Sequence, residues 1–370
     1  MPKKPALPSI KDVAESCRVS RRTVSAILFP SEKNTNIGFS EATRSHVLAV
    51  AKELRYRPHR ASRNLLVRRQ GAIGVLTGQF FMIPWPSINA MLLMAKDHDQ
   101  VLSFEFLSPD DRELPLFIRE HVVDGLIIYE RVPAAIEQAI EYHRIPVVYV
   151  NTCRHTGCNV INMDEAGAIT MAVAHLVATG RRRPSIIQPT GDSPFEKERI
   201  LALREACSRA HLEEPLVLQP PEWSATREQN QANAEDFLDA HPTSDSVITP
   251  HAGVVSMLYK ACRRLGRRIP EDVAVICMQD HDLLTDLEPQ VTAFELPTHA
   301  LGTQSVALLN QVLQGKKASP EIVLPYQLHI RASSGGGGSE SMPMPPIGNK
   351  LPGNTTVTAG ARHPKPKARG

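Results

Sequence analysis

Ser9-Ile10-Lys11-Asp12-Val13-Ala14-Glu15-Ser16-Cys17-Arg18-Val19-Ser20-Arg21-Arg22-Thr23-Val24-Ser25-Ala26-Ile27-Leu28 reads as two short helices joined by a tight turn. Ser9 is placed to cap the first helix, in which Ile10, Val13 and Ala14 share a face at i, i+3 and i+4. Cys17-Arg18-Val19 makes the turn, with Val19 as a plug between the helices. Ser20 caps the second helix, residues 21–29, with Val24, Ile27 and Leu28 inward and Arg21, Arg22, Ser25 and Ala26 outward. Ser40 caps a third helix, where Val47, Ala51 and Leu54 repeat at i, i+4 and i+7. Two amphipathic helices on so short a turn cross steeply and need a third to hold them: a helix-turn-helix.

Such a unit reads DNA when small or basic side chains face out at the start of its second helix, where they reach base edges in the major groove. Arg21 and Arg22 suit that chemistry, since one guanidinium bonds guanine O6 and N7 together, for ~1–3 kcal/mol of discrimination. The hydroxyls of Ser9, Ser20, Thr23 and Ser25 suit phosphate contacts, which position without specifying. The plainer reading of the same pattern is a three-helix bundle with a solvated basic face.

Charge favours the first reading. Residues 1–70 hold 15 Lys/Arg against 5 Asp/Glu, and residues 71–333 hold 22 against 33. A small basic head on a larger acidic body is the distribution of a polyanion-binding module attached to a regulatory domain. The whole chain has 370 residues, enough for two or three domains. It is 42% hydrophobic and 22% charged, which excludes a wholly disordered or fibrous chain. No apolar run approaches the ~18 residues of a membrane span, and no signal peptide opens the chain, so no membrane partner is expected. Six irregularly spaced cysteines argue for a reducing cytoplasm rather than a disulfide framework.

Composition shifts twice. Near Arg68-Arg69-Gln70-Gly71 the basic helical stretch gives way to the apolar run Ala72-Ile73-Gly74-Val75-Leu76. Ser333-Ser334-Gly335-Gly336-Gly337-Gly338-Ser339 has flexible-linker composition, whether native or a fusion scar, and a Pro-, Gly- and Thr-rich tail follows. The expected units are a head over 1–57, a linker over 58–71, a body over 72–333 and a disordered, basic tail over 334–370. In the body, strands are expected at 73–76, 101–107, 125–129, 147–150, 185–188, 246–249 and 273–277. Helices are expected at 88–96, 134–142, 165–178, 195–210, 229–240 and 254–265. Continuous apolar strands spaced by helices imply parallel sheets covered on both faces, an α/β body.

The order Ile10-Lys11-Asp12-Val13-Ala14, Val19-Ser20-x-x-Thr23-Val24-Ser25, Thr43-Arg44 and Glu53-Leu54-x-Tyr56-x-Pro58 resembles the DNA-binding head of the LacI/GalR (lactose-repressor) family. The resemblance extends to a hinge helix at Pro58-His59-Arg60-Ala61-Ser62-Arg63-Asn64-Leu65. It implies that Arg60 and Arg63 contact DNA and that Leu65 wedges into the central minor groove, trading unstacking for contact. It continues more weakly over 72–333, through Val123-Asp124-Gly125-Leu126-Ile127-Ile128, Asp164-x-x-Gly167-Ala168, Ile269-Pro270-Glu271-Asp272-Val273 and Arg331-x-Ser333. There it implies a two-lobed periplasmic-binding-protein-like domain with an effector cleft between the lobes.

Carried over residue by residue, the resemblance makes Arg199 of Glu198-Arg199 the ligand-binding arginine and puts Phe80 and Phe81 in a loop lining the cleft. Departures accompany the match. Arg18 replaces the usual glycine of the turn, which is strained if φ stays positive there. Ala26 replaces a common arginine, and the loop 30–39 is longer than usual. Pro250-His251 stands for an Asn-Asp pair, and Cys277-Met278-Gln279-Asp280 for Gly-Phe-Asp-Asp, so His251 and Gln279 replace acidic acceptors. Either the effector differs from an ordinary sugar, or the pocket is retired.

No GxGxxG, P-loop or HExxH occurs, and no nucleophile elbow. Cys153, His155 and Cys158 lack a second ligand pair, and Asp280-His281-Asp282 reads as a solvated turn; no metal or cofactor is expected. The expected function is a non-enzymatic, operator-binding homodimer, more often a repressor in this family, whose partners are double-stranded DNA, a second copy and a small sugar-like or other metabolite. The rival is a small-molecule-binding protein or enzyme that the basic head merely anchors. The tail's Arg362, Lys365, Lys367 and Arg369 are expected to add non-specific DNA attraction.

Overall fold

The head helices form where their caps and apolar spacing place them: α1 (Ile10–Cys17), α2 (Arg21–Leu28) and α3 (Glu41–Glu53). This is a computed structural model, and it describes residues 8–29, 37–57, 69–78, 83–107, 113–129, 132–151, 159–188, 194–219, 227–316, 321–336 and 340–342. Outside these lie the hinge residues Arg60, Arg63 and Leu65, the aromatic pair Phe80 and Phe81, the 152–158 loop with Cys153, His155 and Cys158, and the tail basic residues. The head's core is Val13, Ala14, Cys17, Val24, Ile27, Val47 and Ala51, with Val19 and Leu54 packed against it. At ~1.5–3 kcal/mol per large side chain buried, so few residues leave the head only modest stability.

Arg18 does adopt the left-handed conformation, at φ 54° and ψ 39°. A side chain there costs ~1–2 kcal/mol that glycine would not incur. The turn nevertheless closes, because the Arg18 and Val19 amides donate to the Glu15 and Ala14 carbonyls.

The body contains two sheets. The first runs β11 (Ile322–Leu324), β5 (Val160–Met163), β4 (Val147–Val150), β3 (Gly125–Tyr129), β1 (Ala72–Thr77), β2 (Val101–Phe106), all parallel. Helices α4 (Trp85–Asp97) and α11 (Thr298–Leu313) share one hydrophobic cluster with it, and α5 (Leu116–Arg119) and α6 (Ala134–His143) contribute to the other. The second runs β13 (Glu340–Met342), β12 (Gln327–Ile330), β10 (Thr292–Glu295), β9 (Ala274–Cys277), β8 (Ser246–Thr249), β6 (Pro184–Ile187), β7 (Leu216–Leu218). Its clusters hold α7 (Glu165–Ala178) with α8 (Pro194–Arg209), and α9 (Arg227–Ala240) with α10 (Ala252–Arg264). The central strands β3, β8 and β9 are buried on both faces, which is why they read as apolar runs, while the edge strand β2 is partly exposed.

Three departures from the sequence reading follow from tertiary context. The chain after Cys277 supplies β10, α11, β11 and β12, none of which local patterning marked. α11 lies tightly on α4: a Cβ on Gly302 would come 2.2 Å from the Ser87 carbonyl oxygen. The body does not end at 333. Ser334 is fully buried, bonded to His175 and Thr292, and residues 340–342 add antiparallel to β12. An exposed strand edge pairs with any extended segment, whatever its side chains. Last, β12 and β13 are antiparallel, so the second sheet is mixed.

The chain passes between the sheets three times: from β5 into α7, from β10 into α11, and from β11 into β12. A buried cluster joins the first and third crossings to the second lobe. Glu165, the first residue of α7, accepts from Arg199 Nε at 2.7 Å and Nη2 at 3.2 Å, and from the Tyr326 hydroxyl at 2.7 Å. Tyr326 lies between β11 and β12, its ring edge-on to Phe294 at 6.0 Å.

Two stability outcomes are expected. Arg18→Gly should stabilise the head by about 1 kcal/mol, after glycine's added unfolded-state entropy is set against the relieved strain; slower amide exchange at Val24 and Val47 is the readout. Glu165→Ala should cost about 3–5 kcal/mol, because it leaves a buried guanidinium without its carboxylate; the urea midpoint of the full chain measures it.

Candidate nucleic-acid interface and effector cleft

In the head, Asp12 closes the start of α1 by accepting from the Ser9 amide at 2.7 Å and its hydroxyl at 2.8 Å. These bonds hold the Asp12 carboxyl below its ordinary range. The Ser9 hydroxyl is thus already engaged within the head. Ser20 caps α2, accepting the Thr23 amide at 3.0 Å while its hydroxyl meets the Thr23 hydroxyl at 2.8 Å. Ser40 and Thr43 repeat the arrangement on α3.

Arg21 and Arg22 are exposed in the first turn of α2, which carries no acidic residue. Cations at a helix N-terminus face the positive end of the peptide dipoles and lose ~0.3–1 kcal/mol each. A local arrangement that opposes helix stability makes sense when a polyanion sits there. Ser25 is half-buried and Ala26 is 4% exposed, so Ala26 does not face outward as expected. Arg22 and Phe29, four before and three after it, share its side of the helix, and a lone methyl between longer side chains is closed off from water.

In the body, β6, β8 and β9 end level: Ile186 faces Ile248, which faces Ile276. The segments beyond these ends, and the starts of the helices that follow them, form the edge where open parallel sheets hold ligands. Gln188, Glu196, Arg199, Asn230 and Thr249 are all buried there. His251 is the N-cap residue of α10, and Gln279 is exposed, its carbonyl accepting from the Cys277 thiol at 3.2 Å. Arg199 also lies over the Phe195 ring, 5.2 Å from its centroid. Burial alone would discourage its charge, but Glu165 and Tyr326 more than restore it, so the guanidinium is held above its ordinary value. Burial, then the Arg199 charge, lowers the His251 pKa and keeps that imidazole neutral.

Arg199 and His251 are therefore brought together as the sequence reading expected, with Gln279 on the same edge. Glu165 and Tyr326 were missed. Glu165 stood out only as a helix start, and Asn230 and Glu196 only as helix residues. Asp280 of the Asp280-His281-Asp282 run is bidentate with Arg331, at 2.9 and 2.6 Å, and His281 caps the next turn by accepting the Leu283 amide. Among the described residues no cluster of metal-ligating side chains occurs, and no helix is long and apolar enough to cross a membrane.

Two family models match in succession. Residues 9–59 match the bacterial regulatory proteins of the lacI family, and residues 173–334 match the periplasmic binding protein-like domain. The HTH-type transcriptional regulator CelR of Thermobifida fusca is 27% identical over 343 residues, covering 88% of this chain and 98% of its own. The ribose operon repressor of Halalkalibacterium halodurans is 25% identical, over 89% of this chain and 98% of its own. In fold, the chain is similar to the lac repressor dimer bound to operator and the anti-inducer ONPF, with a TM-score of 0.75, 21% identity and 90% and 99% coverage of the two chains. It is also similar to the CelR–cellobiose complex, with a TM-score of 0.64, 24% identity and 88% and 99% coverage. With a groove-reading head in front of a two-lobed ligand-binding body, the chain belongs to the LacI family of bacterial regulatory proteins.

Proposed function

We propose that this protein is a cytoplasmic transcriptional regulator, acting as a repressor, that binds a pseudo-palindromic operator as a homodimer and is released or tightened by a small metabolite. The observation that carries the reading is the exposed Arg21–Arg22 pair at the start of α2, placed against the helix dipole. Those guanidiniums take guanine edges in the major groove, while Ser20, Thr23 and Ser25 serve the backbone. Arg60, Arg63 and Leu65 form the hinge, with Leu65 inserted at the operator centre. No catalytic chemistry or cofactor is needed.

The second copy docks on the outer edge of the first lobe. There β2 is the edge strand, with Val101 43% and Phe106 51% exposed, and α4 beside it exposes Trp85, Leu92 and Leu93. A contiguous apolar edge of this kind marks a protein interface. A two-fold protein then implies a two-fold site. The lac repressor, similar in fold, is a dimer on its operator, which supports the assignment.

The effector is held at the level ends of β6, β8 and β9, the edge where open parallel sheets hold ligands. Its occupancy reaches the DNA through Asp124. That carboxylate accepts from the Gln70 and Gly71 amides at 2.6 and 2.7 Å, so the end of the linker is fastened to the first lobe. Rotation of that lobe moves the hinge with it, and DNA affinity changes by linkage.

Operator sites are to be selected from random duplexes and measured by gel shift. Leu65→Ala should weaken the selected site at least tenfold while non-specific binding stays within about twofold; equal losses rule out the wedge, and no sequence preference at all rules out the regulator. Leu92→Glu should convert the dimer to monomer by burying a charge in the interface, seen by analytical ultracentrifugation; an unchanged sedimentation coefficient moves the interface elsewhere.

A further inference from the structure

We propose that Arg18 is an added phosphate contact, by which the turn of the head grips the DNA backbone while Arg21 and Arg22 read the groove; this rests on the operator-binding reading above and adds a residue to it. Its left-handed backbone alone does not single it out, since Arg144 ends α6 the same way at φ 53°. Its neighbours do. Arg18, Arg21 and Arg22 are three exposed cations within one short stretch. The acids of α1 are turned elsewhere: Asp12 accepts from the Ser9 amide and hydroxyl, and Glu15 pairs with Lys11 at 3.5 Å. Among the described residues none of the three guanidiniums has a hydrogen-bond or ion-pair partner. Surface arginines of the body are handled differently: Arg119, Arg264 and Arg268, for example, meet Glu113, Glu235 and Asp272. Cations crowded together without an acid repel one another, and a polyanion relieves that repulsion.

Position decides what Arg18 touches. Val19 alone separates it from Ser20, the cap of α2, whose first turn carries Arg21 and Arg22. A helix start seated in the major groove lies between two rails of phosphate about 12 Å apart, so the segment leading into it crosses one rail. Arg18 is on that segment and exposed. A guanidinium there meets phosphate oxygens rather than base edges, and adds grip without reading sequence. The Arg18 and Val19 amides fasten the turn to the Glu15 and Ala14 carbonyls, so the side chain departs from a held backbone rather than a loose loop. The rival role is local: Arg18 follows α1, where a cation complements the carbonyl end of the helix dipole. That role involves no DNA and leaves the salt dependence of binding untouched.

The test titrates the full chain onto its selected operator and onto a scrambled duplex by gel shift, from about 50 to about 300 mM KCl. Arg18→Gly and Arg18→Asn, both at ease in the left-handed region, remove the charge, and Arg18→Lys keeps it. The two neutral variants should bind both duplexes at least about fivefold more weakly at about 100 mM salt. Their slope of log affinity against log salt should be shallower by about 0.9 per head, or about 1.8 for the two heads of the dimer. Arg18→Lys should keep the wild-type slope to within about 0.5, and the preference for operator over scrambled duplex should stay within about twofold in all three. Arg18→Gly is also expected to strengthen the head, so weaker binding alongside slower amide exchange at Val24 and Val47 separates a lost contact from a lost fold. An unchanged slope in both neutral variants overturns the proposal in favour of the dipole role, and so does a slope lost equally in Arg18→Lys. A loss confined to the operator overturns the phosphate assignment. Each of these leaves operator binding standing, whereas a wild-type chain with no preference between duplexes removes the regulator reading and this inference with it.

Discussion

Glu165 holds together parts of the chain that share no local structure. Its two oxygens receive a guanidinium from α8 and a phenol from the crossing between β11 and β12, while its own backbone begins α7. All three side chains are dry, so the interaction is unscreened by salt and severe to break. Two of the three passages between lobes are thereby anchored to the second lobe at one point.

The first lobe is joined to the DNA-binding side by an analogous but softer device. Asp124 accepts the backbone amides of Gln70, Gly71 and Ala72 at the start of β1. An anchored linker transmits displacement, whereas a loose one would absorb it. The same lobe exposes apolar side chains on α4 and β2, so the proposed dimer contact and the linker anchor belong to one rigid layer. Under the proposed function, a change of lobe angle in either protomer of the dimer would be felt as a change in hinge spacing.

The head forgoes stability in two places. Arg18 sits in a left-handed turn better suited to glycine, and Arg21 and Arg22 oppose the dipole of their own helix. A small core offsets both, and a bound polyanion would reverse the second. Departures from local preference of this kind cluster where function is exerted.

The amino-acid sequence by itself determined the three head helices, the α/β character of the body and most strand positions up to Cys277, because caps, i, i+3, i+4 spacing and unbroken apolar runs are written within a few residues of one another. It also placed Arg199 and His251 on a common edge through their resemblance to a known pattern. Only the tertiary structure decided which sheet each later strand joins, that Thr298–Leu313 returns to cover the first sheet, that Ala26 is shut in, and that the chain beyond Ser333 still belongs to the second lobe. It alone showed that Arg199 is already committed, since Glu165 and Arg199 lie 34 residues apart and Glu165 and Tyr326 161 apart. Bonds across such separations leave no periodic trace; they exist because folding brings two crossings of the chain and helix α8 to one dry point, where a charge must find its counterpart.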